Sequence, residues 1–162
     1  DFDLWPETSK MILVLLMFIG ACAGSTGGGF KISRLLILCK AIPKQLSLVI
    51  HPREVKVIRM DGKPIDHNTL RSTNVYLAIY FFILLVSTLL ISVDNFNLTT
   101  NFTAVASTLN NIGPGLDGVG PTRNFGMYSD FSKFVLMFDM LAGRLELYPL
   151  LILFMPSLWR RK

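Results

Sequence analysis

The segment Asn74–Val93, NVYLAIYFFILLVSTLLISV, runs for some twenty residues without a charged side chain. An α-helix rises ~1.5 Å per residue, so this run reaches ~30 Å, the thickness of a bilayer's hydrocarbon core. In lipid no water serves the backbone N–H and C=O groups, and a lone apolar segment satisfies them only as a helix. The rest of the chain agrees. Hydrophobic residues make up 51% of its 162 positions and the mean hydropathy is +0.49, a combination soluble domains seldom show. A second apolar run, MILVLLMFI, covers Met11–Ile19, and a third, Phe134–Met155, is as long as the central one but carries Asp139, Arg144 and Glu146. The pattern predicts an all-α polytopic membrane protein.

The formal net charge of +5 is informative through its distribution. Nine bases, Lys31, Arg34, Lys40, Lys44, Arg53, Lys56, Arg59, Lys63 and Arg71, stand between the first two apolar runs against Glu54, Asp61 and Asp66. Arg160, Arg161 and Lys162 end the chain, whereas the connector from Asp94 to Lys133 has only Arg123 and Lys133 as bases. Positive charge collects on the cytoplasmic side of membrane proteins. The expected path therefore starts outside, descends through the first run, ascends through the second and descends again. Residues 39–71 and the C-terminus are then cytoplasmic. A nucleic-acid surface would also be basic, but it needs no alternation with membrane spans, so no nucleic-acid partner is expected. The chain opens on DFDLWPETSK without an initiating Met, which predicts a fragment of a longer protein. Cys22 and Cys39 have no metal-ligand spacing and read as small apolar packing residues. His51 and His67 read as solvated loop residues.

The first helical stretch, from about Ser9 to Leu38, is longer than a bilayer requires, so part of it must tilt, protrude or unwind. Its middle is GACAGSTGGGFK, Gly20–Lys31. A phosphate-binding P-loop needs a Lys directly after its last Gly, followed by Ser or Thr. Here Phe30 separates Gly29 from Lys31, and Ile32 follows, so the motif fails. No cluster of His, Cys or carboxylates supplies other catalytic machinery. The expectation is that the chain is not an enzyme and holds no cofactor, the alternatives being a polytopic membrane enzyme or a structural membrane subunit without an ion pathway. In the cytoplasmic connector, His51-Pro52, Asp61-Gly62 and Lys63-Pro64 mark turns, and EVKVIRM alternates as a short strand or hairpin arm would.

The external connector is neither a charged loop nor apolar enough to cross. Its centre, TTNFTAVASTL (Thr99–Leu109), predicts a short helix capped by Thr99 or Asn97. Eleven residues span roughly 16 Å, half a hydrocarbon core, which outlines a re-entrant segment. NNIGPGLDGVGPT follows, with four glycines and two prolines, and cannot be helical. A half-helix entering from outside turns the negative end of its dipole toward the membrane centre. An extended segment climbing back outward then offers carbonyl oxygens to a cation.

Helix, half-helix, glycine segment, helix is the repeat of potassium-channel-like pores. GACAGSTGGGFKISRLL (Gly20–Leu36), STLNNIGPGL (Ser107–Leu116) and GRLELYPLLILFMPSLWR (Gly143–Arg160), in this order, resemble the C-terminal part of bacterial TrkH-type potassium uptake proteins of the Trk/Ktr/HKT cation transporter superfamily. The resemblance spans essentially the whole chain. It implies four helix/pore-loop/helix repeats around one pore, with the first two and most of the third missing from this chain. Residues 1–38 would be the inner helix of the third repeat, broken at an intramembrane loop, 24–29; residues 39–71 the cytoplasmic connector; and residues 72–162 the fourth repeat. Within that repeat the pore helix would be 99–109, the filter 110–115 and the inner helix 132–159. Asn111, Ile112 and Gly113 would bind partly dehydrated potassium through their carbonyls, supported by Asn110, Pro114 and Gly115. Asn111 stands where the potassium-channel filter has threonine and Pro114 where it has tyrosine, which argues against channel-grade selectivity.

Arg144 falls near the bilayer midplane, twelve positions into a helix starting near Ser132, where an unpaired charge costs ~2.5 to 3.5 kcal/mol. Gly24, Ser25, Thr26, Gly27, Gly28 and Gly29 lie at comparable depth. An unwound glycine segment has carbonyls without intrahelical partners, and a guanidinium has five donors and no acceptor. At ~100° per residue, Asp139 and Glu146 lie ~140° and ~200° around the helix from Arg144, which leaves the glycine segment as its expected partner. The resemblance implies the same arrangement, with the segment and Arg144 as a gate under the filter. It also implies homodimerisation in the bacterial inner membrane and a cytosolic nucleotide-binding regulatory subunit of TrkA type, with potassium as the transported ion.

Overall fold

The computed structural model describes residues 1–22, 25, 28–51, 57–60 and 62–144. Five helices carry the fold: α1 (Glu7–Ile19), α2 (Ile32–Ile50), α3 (His67–Ile91), α4 (Leu98–Leu109) and α5 (Asp130–Arg144). Between α2 and α3 a two-residue antiparallel hairpin pairs β1 (Arg59–Met60) with β2 (Lys63–Pro64). The alternation in EVKVIRM thus yields a strand only at its last two residues among those described.

Helices α1 and α2 end where their sequence stops supporting one. Trp5-Pro6 precedes α1, whose first turn carries Glu7, bonded to Lys10 at 2.8 Å, and α1 stops at Gly20, in the left-handed region at φ 68°. Helix α2 begins after Lys31, also at positive φ, and stops at His51, the residue before a proline. It continues past Leu38 and carries Pro43 inside it, so the first twelve positions assigned to a connector are helical. Helix α3 starts at His67, five residues ahead of the expected Ser72, and its 25 residues span ~37 Å. Among the described residues it is the one helix long and apolar enough to cross a membrane. Helix α1 has 13 residues and stops at Ile19, so the first apolar run is not continued as one helix beyond Gly20. Cys22 and Cys39 are exposed rather than packed.

The core is built around α4. Helix α4 lies against α3, α5 and α1, while α2 packs on α3. Tyr76, Tyr80, Leu84 and Ile91 of α3 and Val135, Leu136 and Ala142 of α5 enclose Ala104, Val105 and Leu109. Every residue from Thr100 to Asn110 is buried except Phe102, so a helix rich in hydroxyls sits in an apolar surround. Its own carbonyls satisfy three of those hydroxyls: Thr103 Oγ1 donates to Thr99 O at 2.8 Å, Ser107 Oγ to Ala104 O at 3.0 Å and Thr108 Oγ1 to Ala104 O at 2.9 Å. The end of α3 and the start of α5 are stapled as well, with Ser129 N and Oγ donating to Asp94 Oδ2 at 3.0 and 3.1 Å.

Candidate functional site

The residues of STLNNIGPGL form the end of α4 and the segment leaving it. Asn97 is the N-cap, its Oδ1 accepting from Thr100 N at 2.7 Å. At the other end Asn111 N–H reaches Thr108 O at 3.0 Å and Ile112 N–H reaches Ser107 O at 2.9 Å, while Asn111 sits at φ 55°. This crossed pair with a left-handed residue is a Schellman closure, and asparagine is the residue after glycine that tolerates the conformation best. Asn111 also donates its Nδ2 to Met140 O at 3.0 Å, tying the closure to α5. Asn110 is buried at the C-cap, donating Nδ2 to Ala106 O at 2.8 Å and accepting from Tyr80 Oη at 2.8 Å.

From Ile112 the chain turns away without regular structure. Gly113 adopts φ 116°, a conformation L-residues rarely take, and a Cβ there would meet no atom within 4 Å. Two threonines of α4 hold the returning segment. Leu116 N–H donates to Thr103 Oγ1 at 3.0 Å and Gly118 N–H to Thr100 Oγ1 at 3.2 Å. Gly115 N–H closes on Val119 O at 2.8 Å. Ile112 and Pro114 face one cavity of about 270 Å³ with Leu16 and Met17. Asn111, Ile112 and Gly113 face another of about 470 Å³ with Met137 and Met140. No ionisable side chain occurs from Ser107 to Gly115, so the field around this segment comes from backbone dipoles and the negative end of α4.

Of the gate residues expected from the sequence, Gly24, Thr26 and Gly27 lie outside the described residues, while Ser25 is exposed with its N–H on Cys22 O at 3.1 Å. Gly28 and Gly29 are buried directly against the end of α4. A Cβ on Gly28 would stand 2.5 Å from Asn110 O, and one on Gly29 3.2 Å from Asn110 Oδ1. The stem of this segment is closed by Phe30 N–H on Phe18 O at 3.4 Å and Ile32 N–H on Ala21 O at 3.2 Å. Arg144 is exposed and is the last described residue of α5. Its neighbour Gly143 makes the close approach instead, since a Cβ there would land on Leu109 O and 2.8 Å from Asn111 Nδ2. Asp139, set aside above as a partner for Arg144, points elsewhere. It is fully buried, accepts from Ser87 Oγ of α3 at 2.7 Å, and leaves Oδ2 without a hydrogen bond.

Sequence reasoning passed over Tyr80, Gly143, Ser87 and the threonine pair. Tyr80 sits within an unbroken apolar run, and only its polar hydroxyl in that setting hints at a partner. Asp117 was also missed. It receives Asn97 Nδ2, accepts from Thr100 Oγ1 at 3.0 Å and lies 3.9 Å from Arg123 Nη1. Those bonds from Asn97 and Thr100, with Arg123 beside them, hold its carboxyl below the usual range. Asp117 shares a cavity of about 470 Å³ with Asp1, Asp3 and Glu7, and its N–H donates to Asp3 Oδ1 at 3.1 Å.

The fold recurs in a known protein. A crystal structure of the potassium transporter TrkH from Vibrio parahaemolyticus superimposes with a TM-score of 0.85 at 38% identity, covering 96% of this chain and 33% of that one. The Trk system potassium uptake protein TrkH of the same species is 38% identical over 98% of this chain. Its counterpart in Escherichia coli K12 is 37% identical over 96%. The chain spans about a third of the length of these relatives, 32% of each. The TrkH family model, described as cation transport protein, matches residues 1–161, and the chain belongs to this family of membrane transport proteins.

Proposed function

We propose that this chain is part of the pore-forming subunit of a Trk-type potassium uptake system and supplies one of its filter segments and part of its gate. The observation that carries the reading is the buried, Schellman-closed end of α4. There the chain leaves the helix at Asn111, Ile112 and Gly113, and Gly28 and Gly29 pack against Asn110. Asn111, Ile112 and Gly113 present carbonyls to partly dehydrated potassium, while Asn110, Pro114 and Gly115 hold them in place. In this reading α1, the glycine segment and the start of α2 form the inner helix of a third repeat. The remainder, to about residue 71, is cytoplasmic, and residues 72–162 form the fourth repeat.

The chemistry follows from selectivity by backbone. A carbonyl ring replaces hydration without fixed charge, so entry is favourable and exit remains possible. Potassium is cargo, and no residue of the chain changes covalently. The segment 24–29, with Arg144, blocks the path below the filter. The basic connector, residues 39–71, faces the cytoplasm, where a TrkA-type regulatory subunit docks, and the subunit dimerises in the bacterial inner membrane. The test is Gly113→Ser in the full-length subunit. A side chain at φ 116° forces the backbone to shift, and potassium over sodium uptake falls. Unchanged discrimination would remove Gly113 from the filter.

A further inference from the structure

We infer that Tyr80 is a positioning residue that sets the distance between the glycine segment and the filter-bearing end of α4, an inference that rests on the gate reading above. Tyr80 lies on α3, outside both elements, yet it touches the two of them. Its hydroxyl donates to Asn110 Oδ1 at 2.8 Å, and Asn110 is the residue against which Gly28 and Gly29 rest. Its ring packs edge-on to Phe18 and Phe30, with centroids 6.4 and 6.2 Å away. Those two phenylalanines are the stem of the glycine segment, joined by the bond from Phe30 N–H to Phe18 O. One side chain, 2% exposed, therefore fixes the stem of the segment through its ring and the helix end through its oxygen.

The hydroxyl and the ring have separable roles. Burial and aromatic packing hold the ring wherever the hydroxyl points. The hydroxyl adds a directional bond that holds Asn110 Oδ1, the atom that faces Gly29. Its own amide already donates to Ala106 O, so loss of the Tyr80 bond frees Asn110 on the gate side only. A segment resting on a backbone carbonyl has no side chain of its own to grip, and its closed position depends on how firmly that carbonyl is held.

The experiment uses the full-length subunit in proteoliposomes, with rubidium tracer flux and the potassium-to-sodium ratio as readouts. Tyr80→Phe is compared with a deletion of residues 24–27, the double variant, and a subunit carrying 3-fluorotyrosine at position 80. Tyr80→Phe should raise resting flux roughly fivefold, the change expected from losing one hydrogen bond that acts on the closed state. The ion ratio should hold, and the deletion should leave Tyr80→Phe with no further effect. Fluorotyrosine, a stronger donor, should lower resting flux. If the deletion raises flux and Tyr80→Phe does not, the inference is wrong and the gate stands. If the deletion leaves flux unchanged, the gate reading fails and this inference with it. Additive effects also overturn it, because Tyr80 would then act elsewhere. Where Tyr80→Phe yields no folded subunit, fluorotyrosine decides, and an unchanged flux counts against the role.

Discussion

Substituting Gly28 by alanine measures how tightly the glycine segment is pressed against the end of α4. The added methyl would stand 2.5 Å from Asn110 O and 2.7 Å from Asn110 C, both backbone atoms that cannot rotate aside. A carbon and a carbonyl oxygen rest at about 3.4 Å, so the two elements must separate by ~1 Å. If Asn110 gives way, its 2.8 Å bond from Tyr80 stretches to ~3.8 Å and ceases to be one. If the segment gives way, it leaves the position in which it is proposed to block the path. Overpacking of this kind costs ~1 to 3 kcal/mol. The penalty exists only while the segment sits under α4, so it falls on the closed state and shifts the closed-to-open ratio ~5- to 150-fold. The assay is rubidium uptake by the full-length subunit in proteoliposomes, normalised to folded protein recovered by gel filtration. Gly62→Ala is the control. That glycine also has positive φ, but no atom lies within 4 Å of its Cβ position, so flux should not change. Parental flux from folded Gly28→Ala protein would refute the idea that Gly28 bears on Asn110 in the closed state.

Ser87→Ala removes the one hydrogen bond that the buried Asp139 carboxyl makes among the described residues and should destabilise the subunit by ~1 to 3 kcal/mol, read as a lowered Tm in detergent. Adding Asp139→Leu should recover most of that loss, because an apolar pair leaves nothing unsatisfied, and a double variant as unstable as the single would contradict the reading. Gly143→Ala should be at least as damaging as Gly28→Ala to folded yield, since its methyl falls on Leu109 O within a helix contact that cannot open without separating α4 from α5. Asp117 predicts a pH dependence. Its carboxyl titrates below its ordinary 3.8 in the folded protein, so its contribution is complete above that value and disappears as pH falls through the lowered one. The Tm difference between the parent and Asp117→Asn should therefore be constant from pH 7 to about 5 and close on further acidification. A gap that widens there would show the sign to be wrong.

Much of the fold was legible because lipid leaves so few options. The charge-free run at Asn74–Val93 can only be a helix, and the short hydroxyl-rich stretch before NNIGPG can cap at Asn97 and close at Asn111 without help from elsewhere. Boundaries were less legible. Nothing in CKAIPKQLSLVI distinguishes a helix that continues past Leu38 from a connector, and Pro43 is a residue that helix interiors seldom carry. The partners of the site were illegible for a different reason. Gly28 and Gly143 matter through what a Cβ would strike, which depends on how α2 and α5 approach α4. Asp139 was placed correctly around its helix relative to Arg144, but that periodicity could not say that Ser87, fifty-two residues away, lies opposite.

The end of α4 is finished by residues that emerge from the ribosome at widely separated times. Gly28 precedes the helix and is ready when Asn110 arrives, as is Tyr80. Met140 O and Gly143, which cover Asn111 and Leu109, come some thirty residues later. During synthesis the half-helix must therefore wait at membrane depth with one flank uncovered, and its self-bonded hydroxyls suit it to that wait. Packing of α5 is then the step that completes the closure of α4, and a chain halted before Met140 would hold α4 with its last turn open on one side.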